Sequence, residues 1–173
     1  MLGQFGYDRR HPAVVRAVAY LRRTQEADGA WIGRWGVNYI YGTWQAIVGL
    51  VASGVPATDS AVVRGAKWLL DHQQPDGGWG ETADTYDDPS LRGQGPSTPS
   101  QTAWALLALR AAGLAQHAAF QRGLKFLIDR QRPDGTWDEP QFTGTGFPRV
   151  FYLRYHLYRH YFPLLALGQA AVG

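Results

Sequence analysis

The residues of this sequence equipped for chemistry are carboxylates in loops and rings in clusters. Glu81, Asp84, Asp87 and Asp88 follow Trp79, and Asp138 and Glu139 follow Trp137. A facing pair of carboxylates is what a glycosidase needs, so activity on a sugar polymer is one open reading. Cys is absent, which excludes disulfides, thiolate zinc sites and cysteine nucleophiles. His11, His72, His117, His156 and His160 are scattered and read as structural or exposed; no metal-ligating set is assigned. The rings fall in two runs. Trp35, Tyr39 and Tyr41 lie between glycines in Gly33–Thr43. Phe147, Phe151, Tyr155 and Tyr158 follow at spacings of four, four and three. On a helix those four form one stripe, and the bland account of such a stripe is core packing.

Three copies of one motif must position these residues. Gln25, Gly29 and Trp31 recur as Gln73, Gly77 and Trp79, and again as Gln131, Gly135 and Trp137, each with Asp before the Gly. Arg16, Arg64 and Arg122 precede each Gln by nine residues, and Tyr20, Trp68 and Phe126 by five. A period of about 50 residues marks an array of one supersecondary unit. Upstream of each Gln lies a one-sided helix, with Val14, Val18 and Leu21, then Val62, Ala66, Leu69 and Leu70, then Phe120, Leu124, Leu127 and Ile128 on its apolar face. The Asp-Gly of each motif stops its helix, because Gly accepts a backbone turn that side chains resist. The Gln amides can satisfy backbone groups at a neighbouring helix end, with Trp stacked over them. The motifs therefore read as structural braces between outer helices.

Thr43–Ala52 and Thr102–Leu109 are apolar nearly all round, so these helices are buried on most sides. Gly54 and Gly113 end them. Outer helix, loop and inner helix alternate, which predicts an all-α fold, an α/α barrel of which this chain makes about half. The Trp35–Tyr41 loop then stands at the mouth or wall of the cavity. Pro12 suits a first helical turn, and Ser97 or Thr98 a helix cap. Residues 151–162 are predicted as an aromatic helix that Pro163 kinks or restarts. The long loop from Glu81 to Pro99 is of a size that is often functional.

The chain of 173 residues is one domain able to bury a core. Its net charge is +3 and its pI about 9.3. The basic residues are scattered and not striped, which argues against nucleic acid and leaves an anionic membrane open. No apolar run reaches the roughly 18 residues of a membrane span, and Met1–Arg10 has no apolar core of a signal peptide. The expectation is a cytosolic chain or one held on a membrane face.

The three Gln…Gly-x-Trp motifs resemble the QW repeat of the squalene–hopene cyclase family of triterpene cyclases. The resemblance extends to Gly33–Thr43, to Ser97–Trp104, and to Gly144–Pro148 with the segment after it. It covers nearly the whole chain and matches the C-terminal part of such an enzyme. It implies cyclisation of squalene or a related polyene to hopene or hopanol without a cofactor. An aspartic acid protonates the terminal alkene, and ring faces stabilise the carbocations that follow. By resemblance Trp35, Tyr41, Phe147, Phe151, Tyr155 and Tyr158 fall on the cavity wall. Phe147 and Phe151 are similar to phenylalanines facing late cations, Tyr155 and Tyr158 to tyrosines near earlier ring closures, and Tyr41 to a tyrosine in the network around the acid. A peripheral seat on the cytoplasmic side of a bacterial membrane and a homodimer are also implied.

The family's Asp-x-Asp-Asp acid motif is absent. Asp84-Thr85-Tyr86-Asp87-Asp88 has the wrong spacing. It resembles an inverted magnesium-diphosphate motif of other terpene synthases, and a solvated loop is its plainer account. The expectation is therefore a cavity wall without the acid, inactive until an upstream half completes the barrel. Two rivals remain. One is a non-catalytic helical-repeat module binding a lipid or polyprenyl ligand. The other is a different α/α-barrel enzyme; for a protein prenyltransferase β subunit the zinc site would lack its usual Cys.

Overall fold

The computed structural model describes residues 5–7 and 9–172. Asp8 and the first residues of the short N-terminal segment read from the sequence lie outside them. Among the described residues the chain forms six α-helices. In order they are α1 (Pro12–Arg23), α2 (Tyr39–Ala52), α3 (Ser60–Asp71), α4 (Pro99–Ala111), α5 (Ala118–Asp129) and α6 (Tyr158–Ala171). Odd-numbered helices are outer and even-numbered ones inner. α4 is the most enclosed, buried from Pro99 to Leu109, and it packs between α2 and α6 with α3 and α5 behind it. That is the alternation the patterning predicts, since only a helix with no polar stripe can be covered all round.

Local chemistry sets the boundaries. Pro12 opens α1, and Thr98 caps α4 by accepting from the Gln101 amide at 3.2 Å. Gly29, Gly77 and Gly135 take φ of 104°, 88° and 81°, the left-handed region, in the turn beyond each outer helix. They do not stop the helices as the sequence reading expects: the helices end earlier, at Arg23, Asp71 and Asp129, with Thr24, His72 and Arg130 as caps at negative φ. Each motif Trp donates its indole N–H back to its own outer helix: Trp31 to the Leu21 carbonyl, Trp79 to Leu69 and Trp137 to Leu127, at 2.7–2.8 Å. The Gln25 amide donates to Gly29 O at 2.8 Å and across to Ala61 O of α3 at 2.9 Å. Gln73 repeats this onto Ala119 O of α5 at 2.8 Å. Arg64 and Arg122 donate in return to the Gln25 and Gln73 carbonyl oxygens.

The structure corrects the reading of residues 144–157. There is no helix from Phe151. β1 (Gly144–Phe147) and β2 (Phe151–Leu153) form an antiparallel hairpin, and the helix starts only at Tyr158. Pro148 removes a donor that a helix would use, and Arg149 turns the chain at φ 67°. The four-residue step from Phe147 to Phe151 is thus a pair across a hairpin, not one helical turn. α6 runs on through Pro163 as one helix. The long loop is also less solvated than expected: Thr85 and Tyr86 are buried, and the Tyr86 hydroxyl donates to Gly36 O at 2.7 Å.

Candidate aromatic site

Glycines hold the rings in place. A side chain at Gly33 or Gly36 would collide with the Tyr41 ring, one at Gly144 with the Tyr155 ring, and one at Gly146 with the Phe151 ring. The Trp35 loop and the hairpin are one unit, since Thr145 donates its amide to Trp35 O at 2.9 Å and Gly36 bridges to Gly144. The six predicted wall residues therefore lie on elements that are joined to one another, the Trp35 loop, the hairpin and the starts of α2 and α6, and not on one helix. Phe147 and Phe151 meet edge to face at 5.8 Å, and Tyr155 stacks on Tyr158 at 4.8 Å. Tyr158 reaches Tyr41 through Trp104, at 5.9 and 5.0 Å. Trp35 and Tyr41 line a cleft of about 330 Å³ with Tyr20, Leu21 and Gln45.

The sequence reading missed the hub of this surface. Trp104 of α4 is fully buried and touches Tyr41, Trp44, Tyr158 and Phe162, stacking on Trp44 at 5.7 Å and 3°. Its place in an all-round apolar helix made it look like core, and it is core. What it does in addition is fix the backs of Tyr41 and Tyr158. The fronts stay open: Trp35, Phe147, Phe151 and Tyr155 are 49%, 62%, 44% and 41% exposed. Exposed apolar patches mark places where something apolar sits, and these rings are the candidates here.

The chemistry of the surface is electrostatic. An aromatic face attracts a cation by about 0.5–2 kcal/mol. The Arg34 guanidinium already lies over Trp35 at 5.1 Å. Burial raises the Tyr41 and Tyr158 phenols above their ordinary value, so both stay protonated and neutral. Tyr41 is held by Gln45, whose amide donates to the phenol oxygen at 2.8 Å.

The loop carboxylates divide differently from the sequence reading. Glu81 and Glu139, each two residues after a motif Trp, are buried at the starts of inner helices. Glu81 accepts from the Asn38 and Ile40 amides at the start of α2, at 3.0 and 2.5 Å, and from Gly93 at 3.2 Å. Glu139 accepts from the Ser100 amide of α4 at 2.8 Å and from its hydroxyl. Burial lifts the Glu81 carboxyl to about 6 and raises that of Glu139. Their equal offset from Trp is the signal that identifies them as caps. Asp138 is exposed and pairs with Arg132 at 3.0 Å. Asp84, Asp87 and Asp88 are exposed on their loop, and no group of three metal-ligating side chains forms among the described residues. His11 and His117 cap α1 and α5, accepting from Ala13 and Ala119 amides at 3.3 and 3.1 Å. His72 stacks on Trp68 at 4.2 Å. Among the described residues no helix is long and apolar enough to cross a membrane.

Residues 1–172 match the family described as the squalene-hopene cyclase C-terminal domain. The chain is 54% identical over 167 residues to the squalene–hopene cyclase of Alicyclobacillus acidocaldarius, covering 96% of this chain and 26% of that one. It is 53% identical over 171 residues to the probable squalene–hopene cyclase of Sinorhizobium fredii, covering 98% and 26%. A dammaradiene synthase of the fern Dryopteris crassirhizoma is 48% identical, with 91% and 25% covered. The chain thus spans about a quarter of the length of these relatives. Among solved structures, the type II terpene cyclase MstE from Scytonema superposes with a TM-score of 0.59 at 26% identity, over 81% of this chain and 38% of that one. With its inner and outer helical layers, its three Gln–Trp repeats and its ring-lined surface, this chain belongs to the squalene-hopene cyclase C-terminal domain family.

Proposed function

We propose that this chain forms part of the catalytic barrel of a cyclase that closes squalene or a related polyene into a pentacyclic triterpene. Its role is the wall along which carbocations pass. The observation that carries the reading is the set of partly open rings, Trp35, Phe147, Phe151 and Tyr155, with Phe147 on Phe151 and with Tyr155 stacked on Tyr158, which Trp104 joins to Tyr41. Ring faces lower the energy of a passing cation and form no bond to it. Phe147 and Phe151, at the exposed hairpin end, serve the late cations. Tyr155 and Tyr158 serve the earlier closures. Tyr41, with Gln45, belongs to the hydrogen-bonded surroundings of the acid.

Initiation is supplied from outside the chain. A proton must be delivered to one alkene by a carboxylic acid in a dry cavity. The sequence has no Asp-x-Asp-Asp, and Glu81 and Glu139, the buried carboxylates among the described residues, are occupied by helix-start amides. The proton added at the start stays in the product; at the end a different proton leaves a carbon next to the last cation to give an alkene, or water adds to that cation and loses a proton to give an alcohol. The net reaction is therefore an isomerisation or a hydration, and no cofactor enters it. A pI near 9.3 and an oily substrate support a peripheral seat on an anionic bacterial membrane.

The test replaces the matching C-terminal quarter of the Alicyclobacillus enzyme by this chain and supplies squalene. The hybrid is expected to release a cyclic triterpene, and the chain alone none. A hybrid that folds and binds squalene but returns it unchanged overturns the cyclase reading in favour of a lipid-binding repeat module. Cyclisation by the chain alone overturns the dependence on an upstream acid.

A further inference from the structure

Helix α2 starts without help from the residue before it. α1, α3, α4 and α5 are each capped by the side chain of the preceding residue, His11, Asp59, Thr98 and His117. Asn38 holds that place before α2 and makes no such bond. Its side chain is used elsewhere: Oδ1 accepts from the Gly33 amide at 3.2 Å, and Nδ2 donates to the Thr85 hydroxyl at 3.1 Å. The amides at the start of α2 go instead to Glu81, 43 residues from Asn38 and 41 from Ile40. Tyr41 follows Ile40 directly, in the first turn of the helix.

Glu81 is tied by its main chain to α4. Its amide donates to the Gln101 side-chain oxygen at 2.6 Å, and the Gln101 side-chain amide donates back to Glu81 O at 3.0 Å. Gln101 is buried, on the same helix as Trp104, the ring that meets Tyr41. The main chain of Glu81 is therefore held by α4 while its carboxylate holds α2. The segment after it adds to the grip, since Thr85 takes the Asn38 side chain and the Tyr86 hydroxyl takes Gly36 O. The acidic stretch from Asp84 to Asp88 thus buries its two uncharged residues. Among the described residues no Lys or Arg forms an ion pair with Glu81. A buried carboxylate without a counter-charge is costly, and hydrogen bonds must offset that cost. Three amides from two segments, Asn38, Ile40 and Gly93, converge on it, and only a carboxylate accepts on both of its terminal atoms.

We infer that Glu81 is the positioning residue for Tyr41: it registers the start of α2 against α4 and so sets where the Tyr41 hydroxyl stands. Without the carboxylate the Asn38 and Ile40 amides lose their acceptor, the first turn of α2 loosens, and Tyr41 leaves its place against Trp104. Gln at this position keeps an oxygen for the two α2 amides and gives up only the Gly93 contact. The inference rests on the reading that the chain is part of a cyclase in which Tyr41 belongs to the surroundings of the acid. On that reading the step that slows is initiation, whereas substrate binding, spread over the other rings, is kept.

The test is a double-mutant cycle in the hybrid with the Alicyclobacillus enzyme, with squalene as substrate. Glu81→Ala is expected to lower kcat by about ten- to a hundred-fold, the scale of a misplaced group, with KM unchanged. Glu81→Gln is expected to restore most of the loss. On a Tyr41→Phe background, Glu81→Ala is expected to add little. Asp59→Ala removes the cap of an outer helix and serves as the stability control, with turnover expected to hold wherever the hybrid is folded. In this chain alone, the Tyr41 ring signal in NMR spectra of tyrosine-labelled protein is identified by its loss in Tyr41→Phe. It is expected to shift in Glu81→Ala and to return in Glu81→Gln. If Glu81→Ala does not fold, Gln101→Met takes its place; it cuts the tie to α4, leaves the carboxylate, and carries the same expectations for kcat and for the Tyr41 signal. An unmoved Tyr41 signal, an equal loss of kcat with and without the Tyr41 hydroxyl, or an equal loss in Asp59→Ala overturns the inference. A Tyr41 signal that shifts in a chain whose hybrid never cyclises squalene keeps the positioning role and sinks the cyclase reading.

Discussion

Phe151 has a residue-scale role that the geometry makes testable. Its ring lies over Gly146, edge to face with Phe147, and is partly open. In an active hybrid, Phe151→Ala removes one ring face from late cations. A loss near 1.4 kcal/mol of transition-state stabilisation is about a ten-fold fall in turnover, with products of fewer rings among those released. An unchanged product mixture would sink the late-cation role. Glu81 makes a prediction of a different kind. Burial lifts its carboxyl to about 6 against an ordinary value of 4.5. The folded chain therefore binds this proton more tightly than the unfolded chain does. By linkage its contribution to stability is full below 4.5 and is lost as pH rises through 6, amounting to about 2 kcal/mol. Glu139 shifts in the same direction. Unfolding followed at pH 7 and pH 5 should show the wild type gaining stability on acidification more than Glu81→Gln, which has no such proton to bind. Equal gains in the two proteins would rule the assignment out.

At the scale of elements, the inner helices depend on carboxylates that are distant in sequence. The first amides of α4 are all accounted for: Pro99 has none, Ser100 donates to Glu139, and Gln101 to Thr98. Glu139→Ala leaves the Ser100 amide buried without an acceptor. The expected cost is about 1–3 kcal/mol, read as a lowered denaturation midpoint with an unchanged denaturant slope. No change would mean that water reaches this helix end. The hairpin shows how an element can be misread. Phe147, Phe151, Tyr155 and Tyr158 obey helical spacing, but Pro148 and the turn at Arg149 break the ladder a helix needs. The spacing was a property of the sequence, and the structure divides it into two ring pairs, Phe147 with Phe151 and Tyr155 with Tyr158. The element that carries the first two rings is a strand pair.

For the whole molecule, the array of repeats is the main fact. Each repeat presents a brace to the helix after it and a receptor to the repeat before it, so an isolated array has two unsatisfied ends. Arg16 and Tyr20 of α1 are exposed, and the Gln131 amide donates to its own Gly135 O at 3.0 Å. Tyr41 and Tyr158 are backed by Trp104 of α4, while Trp35, Phe147, Phe151 and Tyr155 stay exposed.

What the sequence determined by itself was the recurrence of the Gln–Trp motif, the order of inner and outer helices, and the Gly stops at Gly54 and Gly113. Those are local or periodic signals: apolar spacing, turn glycines and recurring Gln and Trp. Only the tertiary structure decided that Glu81 and Glu139 are caps, that Trp104 joins Tyr41 to Tyr158, and that the Phe147–Phe151 step is a hairpin. Each depends on groups brought together from distant repeats, such as Glu81 on Asn38 and Glu139 on Ser100. A carboxylate in a loop and a carboxylate on a buried helix start have the same letter, and burial against the right amides is what separates them.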